Sequence, residues 1–399
     1  MQKVELLSPA GDWECIEAAC RFGADAVYIG GDFLQLRAKK AGFSREDVKK
    51  AAEYMHARGK KLYVTVNCFA RNGEMDKCAE YALFLRDAGV DAAIISDLGV
   101  LSAFRDAAPE LDCHVSTQAN CMNWRAANVY AALGVKRIVL AREMTLKEIR
   151  ELREKMDPQV ELEAFVHGAM CMAYSGRCLI SSYLNNRSGN RGECTQPCRW
   201  NYALMEEKRP GEYFPVVEED GMTAILSSHD LCAVHLLEEL KDAGVVSFKI
   251  EGRMKTAYYV ASAVNAYRKC LDGVITAEEA REELERIQHR PYADGFYNGF
   301  VAMHPNNDGQ YIQQYRFMAN VLDWHDGVAT LRQRNNFKVG DELEVLSPKR
   351  RSEVFTVTAI RNELGEEMPC APHPNQTLYV PCPIPLESGD MLRRKEANA

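Results

Sequence analysis

The chain has 399 residues, of which 47% are hydrophobic and 27% charged, and its formal net charge is −8. These proportions are typical of a soluble globular protein, and the length suits one large barrel with a small additional domain. The acidic balance argues against a generally basic nucleic-acid binder, although basic residues concentrate in segments 171–200 and 249–269. No apolar run approaches the roughly 20 residues that cross a bilayer, and the N-terminus lacks a signal-peptide pattern. We therefore expect a cytoplasmic protein with no membrane partner.

The first 270 residues repeat one pattern, in which a short β-branched segment is followed by a segment of helical periodicity. Eight strands, each followed by a helix, predict an α/β fold, a closed parallel (β/α)8 TIM-like barrel over residues 1–303. No Gly-rich nucleotide-binding motif follows a strand, so nucleotide-binding folds lose support. The strand segments are VELLSP (4–9), ADAVYIGG (24–31), KLYVTVN (61–67), DAAIISD (91–97), LDCHVSTQ (111–118), VKRIVLA (135–141), VELEAFVHG (160–168) and VVSFKIEG (245–252).

A Cys-rich insertion of residues 169–244 separates the seventh strand segment from the eighth. It contains a predicted hairpin, with WNYALMEE and EYFPVVEE as its strands. Because barrel enzymes build their active sites from loops that follow the strands, this insertion is predicted to be the functional loop. Beyond the linker HPNNDGQ (304–310), short alternating segments separated by Gly and Asn turns predict a small C-terminal β-barrel domain over residues 311–399.

Five cysteines in this insertion compete for one four-ligand metal site. Cys171, Cys178, Cys194 and Cys198 lie among glycines, and Cys232 follows near the end of the insertion. In a reducing compartment a disulfide framework is not expected, and thiolates suit zinc or iron–sulfur clusters. The spacing between Cys171 and Cys178 and the distant Cys232 favour an iron–sulfur cluster over structural zinc. Zinc and unliganded thiols remain the alternatives.

Most of the remaining candidate residues lie near the carboxyl ends of the predicted strands, where barrel active sites form, whereas Tyr174 and His229 lie in the insertion. Arg142 and Arg253 could bind carboxylates or phosphates, and Lys249 and Gln118 are further substrate-binding candidates. Tyr174 could stack on an unpaired base. The alternative for each is an ion pair or packing, for example pairing of Lys249 with Glu251 along one strand. The candidate proton-transfer groups are Glu163, His167, His229 and Glu251.

Six segments, in order along the chain, carry a resemblance to a known family. They are ELLSPAGDWECIEAACRFGADAVYIG, LQLRAKKAGFS, HVSTQANCMNW, EAFVHGAMCMAYSGRCLIS, NRGECTQPCRW and FKIEGRMKTAYYV. These segments resemble the U32 peptidase family, whose members were labelled collagenase-like proteases. The resemblance covers the whole barrel, and the C-terminal segment is similar to the small domain of the longer members.

This resemblance implies an oxygen-independent hydroxylase with a 4Fe–4S cluster. The cluster ligands of the family carry over onto Cys171, Cys178, Cys194 and Cys232, with Cys198 as the alternative to Cys194. The chain is most similar to the prephenate-dependent transfer-RNA uridine hydroxylases, which form 5-hydroxyuridine at the wobble position. The resemblance thus implies prephenate as co-substrate and transfer RNA, or another RNA, as partner, together with an electron donor that no motif identifies.

Three alternatives accompany this interpretation. The first is hydroxylation of ribosomal-RNA cytidine or of a ubiquinone precursor by the same family. The second is a peptidase, although the sequence contains neither an H-E-x-x-H zinc site nor a G-x-S-x-G nucleophile motif. The third is a non-catalytic iron–sulfur scaffold that binds a partner.

Overall fold

The structure is a computed structural model that describes residues 4–36, 42–171, 173–185, 187–197, 204–205, 213–214, 218–219, 222–223, 229–299 and 311–396. The chain divides into two compact units. The first comprises Met1–Cys20, Ala24–Thr256 and Arg290–Tyr311, and the second comprises Arg21–Gly23, Ala257–His289 and Ile312–Ala399.

The first unit is a closed parallel barrel, which confirms the predicted fold class. Strands β1–β7 pair in parallel in chain order, and β13 pairs in parallel with both β7 and β1 to close the barrel. The strands of this unit are β1 (Glu5–Pro9), β2 (Ala26–Gly30), β3 (Lys61–Val66), β4 (Ala92–Ile95), β5 (Asp112–Val115), β6 (Arg137–Val139), β7 (Glu161–Ala169), β8 (Leu204–Met205), β9 (Tyr213–Phe214), β10 (Glu218–Glu219), β11 (Met222–Thr223), β12 (Asp230–Cys232), β13 (Val245–Ile250) and β14 (Tyr292–Ala293).

The insertion contains short strands of its own, of which β12 joins the barrel sheet. Strands β8 and β9 pair antiparallel, with Leu204 opposite Phe214, which confirms the predicted hairpin. Strand β12 pairs antiparallel with the end of β7 and parallel with β14. The insertion therefore returns to the barrel along β7, so that Cys232 lies opposite His167.

Several helices begin where their sequences provide a cap. The side chains of Ser44, Thr145 and Thr276 each accept a bond from a backbone amide in the first turn, and each of these caps is part of a capping box. None of the described helices combines the length and apolar character of a membrane-crossing segment. The α-helices are α1 (Trp13–Phe22), α2 (Arg45–His56), α3 (Asn72–Asp87), α4 (Leu98–Ala107), α5 (Trp124–Ala132), α6 (Leu146–Lys155), α7 (Ile180–Asn185), α8 (Leu237–Asp242), α9 (Ala257–Leu271) and α10 (Ala277–Leu284).

The second unit contains an antiparallel β half-barrel around an apolar core, which confirms a small β domain at the C-terminus. Leu331, Phe337 and Val345 are among its fully buried residues. Eight strands lie in the order β18-β17-β22-β15-β16-β21-β19-β20. They are β15 (Tyr315–His325), β16 (Val328–Gln333), β17 (Glu342–Leu346), β18 (Glu353–Thr356), β19 (Ile360–Arg361), β20 (Glu367–Met368), β21 (Thr377–Pro381) and β22 (Met391–Lys395).

Helices α9 and α10 belong to this second unit, whereas the division predicted from the sequence placed them with the barrel. Specific side chains join them to the sheet. Tyr258 of α9 stacks on Phe317, with 5.2 Å between ring centroids. Glu283 of α10 forms an ion pair with the fully buried Arg393 of β22. The helical periodicity of this segment could not show which sheet it packs against.

Candidate active site

A buried network of ion pairs occupies the inside of the barrel. Arg137 Nη1 lies 2.5 Å from Glu5 Oε1 and 3.1 Å from Glu163 Oε2, and Lys249 Nζ lies 2.7 Å from Glu163 Oε1. The side chains of Arg137 and Lys249 are each 5% exposed, and that of Glu163 is fully buried. Burial alone would raise the pKa of Glu163, but Lys249 and Arg137 outweigh it and hold this pKa below its usual value. Glu163 is therefore an ionised partner of two cations.

Lys249 lies on β13, one residue before the strand ends. Its ammonium group lies 4.4 Å from the ring centroid of Tyr28 and 5.5 Å from that of Phe165. Burial lowers the pKa of Lys249, while Glu163 opposes that effect. The structure thus gives Lys249 a carboxylate partner on the neighbouring strand β7.

Several members of this interior network carry no motif in the sequence. Glu5 and Arg137 are the first residues of their strands, and each is the one charged residue of its strand. His114 of β5 lies 4.8 Å from Tyr63 between ring centroids, and burial holds its pKa well below the usual value. Alternate residues of a strand face the same side of the sheet. A charged residue within a short strand was therefore the available sign that a charge faces the inside of the barrel.

Arg253, predicted to bind substrate, lies buried beside the ends of β2 and β3. Its Nη1 donates to Thr65 Oγ1 at 2.9 Å and to Gln35 Oε1 at 3.2 Å, and its Nη2 donates to the carbonyl of Leu36. A Cβ at Gly30 would lie only 2.6 Å from Arg253 Nη1, so glycine is required for this close approach.

Arg142 and Gln118 lie in the loops that follow β6 and β5. Arg142 Nη1 donates to the carbonyl of Ala169 at 2.9 Å, and its guanidinium lies 3.9 Å from the ring centroid of Phe165. Gln118 is 8% exposed, and its backbone carbonyl accepts a bond from Arg177 Nε at 2.9 Å. These contacts tie the rim of the barrel to the end of β7 and to the cysteine loop, which we define as residues 171–197.

Side chains anchor the cysteine loop to the rim of the barrel at two further points. Arg191 forms a two-point ion pair with Glu74 of α3, at 2.6 and 3.0 Å, and also donates to the carbonyl of Phe69. The Ser175 hydroxyl donates to Glu143 at 2.6 Å. The loop is thereby connected to the segments that follow β3 and β6. Tyr174 lies in this loop and is 48% exposed.

The predicted ligands of the loop have contacts that suit thiolates. The sulfurs of Cys171 and Cys194 each accept a bond at 3.4 Å from the backbone amide two residues further on, in Ala173 and Gln196. Asn190 binds both the amide and the carbonyl of Cys178, each at 3.2 Å. Bonds from amides to sulfur are a feature of iron–sulfur sites. The alternative ligand Cys198 lies outside the described residues.

The two segments that carry Cys171 and Cys232 are joined by a buried ion pair. Arg290 Nη2 lies 2.8 Å from Asp230 Oδ1, and both side chains are at most 5% exposed. The same guanidinium donates to the carbonyl of Met170 at 3.2 Å. Cys232 itself is fully buried.

The proton-transfer candidates other than Glu163 lie near the two segments that carry Cys171 and Cys232. His167 is 1% exposed on β7, and its carbonyl accepts a bond from the Glu251 amide at 2.8 Å. Gly168 has a φ of 106°, and a Cβ there would lie 2.6 Å from the Glu251 carbonyl oxygen. His229 immediately precedes β12. The structure therefore places His167, His229 and Glu251 around the end of β7, and we call this group of three residues, together with the facing strand β12, the seam.

Within the described part of the chain, no three His, Cys, Asp or Glu side chains are arranged so that they could hold one metal ion. The donor set nevertheless fits a soft metal centre, because it offers four thiols and backbone amides directed at two of their sulfurs. Cys171, Cys178, Cys194 and Cys232 are the residues that would hold such a group. All four lie among the described residues, and the structure does not bring three of them to one point, so a common metal site for these sulfurs stays a prediction.

Comparison with known proteins identifies relatives over both units. The model of peptidase family U32 matches residues 11–306, and that of the peptidase family U32 C-terminal domain matches residues 313–393. The chain is 37% identical to tRNA hydroxylation protein P1 of Bacillus subtilis, over 98% of this chain and 95% of that protein. It is 36% identical to tRNA hydroxylation protein P of Escherichia coli, over 97% and 95%.

A third relative is named for a different RNA. The Escherichia coli protein called 23S rRNA 5-hydroxycytidine C2501 synthase is 38% identical, over 72% of this chain and 42% of its own length. On the family matches and the near full-length similarities, the chain belongs to peptidase family U32.

Proposed function

We propose that this chain is an RNA-modifying hydroxylase that acts on transfer RNA in the cytoplasm. The observation that supports this proposal is its similarity to two tRNA hydroxylation proteins over nearly the full length of both partners. The product we propose is 5-hydroxyuridine at the wobble position. The target base would have to leave its stack to reach the loops at the barrel mouth, as it does in other base-modifying enzymes.

The proposed cofactor is a 4Fe–4S cluster held by Cys171, Cys178, Cys194 and Cys232, with Cys198 as the alternative to Cys194. Such a cluster supplies electron transfer or substrate activation without molecular oxygen. Support comes from the four thiols and from the amide bonds to the sulfurs of Cys171 and Cys194. The electron donor is a further partner.

The chain's own residues have distinct proposed roles. Prephenate, the proposed co-substrate, carries carboxylates, and Arg142 and Lys249 are the cations proposed to bind them. Glu163 holds Lys249 in place, and Arg137 in turn pairs with Glu163. Arg253 supports the rim through Thr65 and Gln35. His167, His229 and Glu251 are the proposed proton-transfer groups, because they lie on the seam that also carries Cys232.

The second candidate is hydroxylation of a ribosomal-RNA cytidine. It is favoured by the similarity to the 23S rRNA 5-hydroxycytidine synthase, which covers 72% of this chain. Both candidates require a pyrimidine base at the same site, so the identity of the RNA distinguishes them.

Nucleoside mass spectrometry of RNA from a strain that lacks the gene tests the proposal. We expect 5-hydroxyuridine to disappear from transfer RNA and to return with the wild-type gene. Cys171→Ser should fail to restore it, whereas Cys20→Ser on helix α1 should restore it as the matched thiol control. Unchanged 5-hydroxyuridine in the deletion strain would reject the proposal, and loss of ribosomal 5-hydroxycytidine instead would favour the second candidate. Full restoration by Cys171→Ser would reject the cluster assignment.

A further inference from the structure

Two side-chain amides in the loop after β5 are buried without a partner. The Oε1 atom of Gln118 is buried and has no hydrogen-bond partner among the described residues. Both side-chain amide atoms of Asn120, Oδ1 and Nδ2, are likewise buried and have no hydrogen-bond partner in the described part of the chain. Together they present two acceptors and one donor within one short turn.

Unpaired buried polar atoms are costly, so these amides require an explanation. Leaving one such group without a partner destabilises the folded state, and native proteins contain few of them. Asn120 also adopts a left-handed conformation, with φ 56° and ψ 43°, and its backbone N–H donates to the carbonyl of Thr117. The turn therefore fixes the backbone of Asn120, although nothing described in the protein pairs with its side chain. A bound ligand would satisfy these atoms.

The surroundings of the two amides indicate the kind of ligand. The turn Thr117–Ala119 contacts the turn Tyr174–Gly176 of the cysteine loop. Arg177 Nε donates to the Gln118 carbonyl, and the Tyr174 hydroxyl contacts the sulfur of Met122. The amides thus lie where the loop after β5 meets the cysteine loop, close to a half-exposed aromatic ring. Amide groups together with an aromatic ring are what proteins use to bind unstacked bases.

We propose that Gln118 and Asn120 recognise the hydrogen-bonding edge of the pyrimidine base that is modified. Uracil presents an N3–H donor between two carbonyl acceptors. One carboxamide can accept from that N–H and donate to the adjacent carbonyl, and a second acceptor stands beside it. This inference rests on the proposed function, because it names the part of the substrate that the loop after β5 binds.

Two substitutions remove these amides with little change in the fold. Gln118→Leu keeps a similar volume, and Asn120→Gly keeps the left-handed backbone. Because Gln118 Oε1 and both amide atoms of Asn120 lack a partner among the described residues, we expect neither variant to melt below the wild-type temperature. We expect formation of the hydroxylated base to fall about tenfold through a higher KM, which corresponds to one lost recognition bond. Asn123→Asp is the matched control, since Asn123 caps helix α5 by accepting from the Ala126 amide.

A binding measurement separates this inference from the proposed function. RNA hairpins that carry either a uridine or an abasic site at the target position are compared for affinity. The wild type should prefer the uridine hairpin severalfold, and both variants should lose that preference while Asn123→Asp keeps it. A base preference without any hydroxylated product would reject the proposed function and leave this inference standing. Variants that hydroxylate and discriminate like the wild type would overturn it, as would variants whose melting temperature falls along with their activity.

Discussion

The inside of the barrel and the cysteine loop are held together in opposite ways. In the barrel, Arg137, Glu163 and Lys249 are at most 5% exposed, and each contacts another charged member of the network. In the loop, the anchoring pair of Arg191 and Glu74 is 28% and 29% exposed, and Cys171 and Cys194 are exposed. This contrast in exposure predicts what a single substitution does in each region. A change in the barrel network leaves a buried charge unpaired, whereas a change at a loop anchor releases a segment and leaves the barrel intact.

The largest effect on stability is expected for Glu163→Gln. Removal of this carboxylate leaves Lys249 and Arg137 buried without the charge that both contact. Loss of one partner from a buried ion pair costs about 3–5 kcal/mol. Urea unfolding followed by circular dichroism should therefore show a free energy of unfolding lower by that amount.

Glu161→Gln is the matched control for this prediction. Glu161 pairs with the same arginine at 2.7 Å, but its side chain is 29% exposed. Water can replace the lost contact, so the expected cost is about 1 kcal/mol or less. Equal losses for the two variants would show that burial does not set the strength of this network.

The acid dependence of stability is a second test of the buried network. Burial opposes ionisation of Glu163, but Lys249 and Arg137 hold its folded pKa below the unfolded value of about 4.3. The stabilisation from its charge is therefore fully present above that value and is lost as the pH falls through the folded pKa. The stability gap between wild type and Glu163→Gln should be constant from pH 7 to 5 and should shrink below about pH 4. A gap that stays constant down to pH 3 would mean that Glu163 is not ionised in the folded protein.

The barrel could be predicted from the sequence because each strand carries its own local signal. Runs such as AVYIG and KLYVTV are rich in apolar and β-branched residues, and the structure places strands there. The polar interior was less visible. Arg137 stands at the start of a short apolar strand. Nothing in the neighbouring sequence shows that it pairs with Glu5, which lies 132 residues away in the chain.

The sequence predicted which types of residue form the candidate site, but it did not predict which residues contact one another there. The cysteines stood out by spacing, but the anchors that position them join residues far apart in the chain, as Arg191 joins Glu74 and Arg290 joins Asp230. Asn120 was missed because a single Asn in a turn has no sequence signature. Its unpartnered amide becomes visible only when the surrounding backbone is in place.

The smallest stability change with a clear effect on the site is expected for Glu74→Gln. The lost ion pair with Arg191 is partly exposed, so the free energy of unfolding should fall by about 1 kcal/mol or less. The loop between Cys178 and Cys194 would lose its two-point connection to α3, because Arg191 lies between these two cysteines. Iron and sulfide bound after anaerobic reconstitution should therefore drop severalfold relative to the wild type.

Glu80→Gln provides a matched control on the same helix. Glu80 pairs with Arg45 at 2.8 Å, and both side chains are more exposed than the Glu74 pair. This variant removes an equal charge from α3 without touching the cysteine loop, so it should bind iron and sulfide like the wild type. If Glu74→Gln also reconstituted fully, the ion pair to α3 would not position the loop. The cysteines would then have to be ordered by the metal itself, because ligand binding can supply the folding energy of a segment that is not preformed.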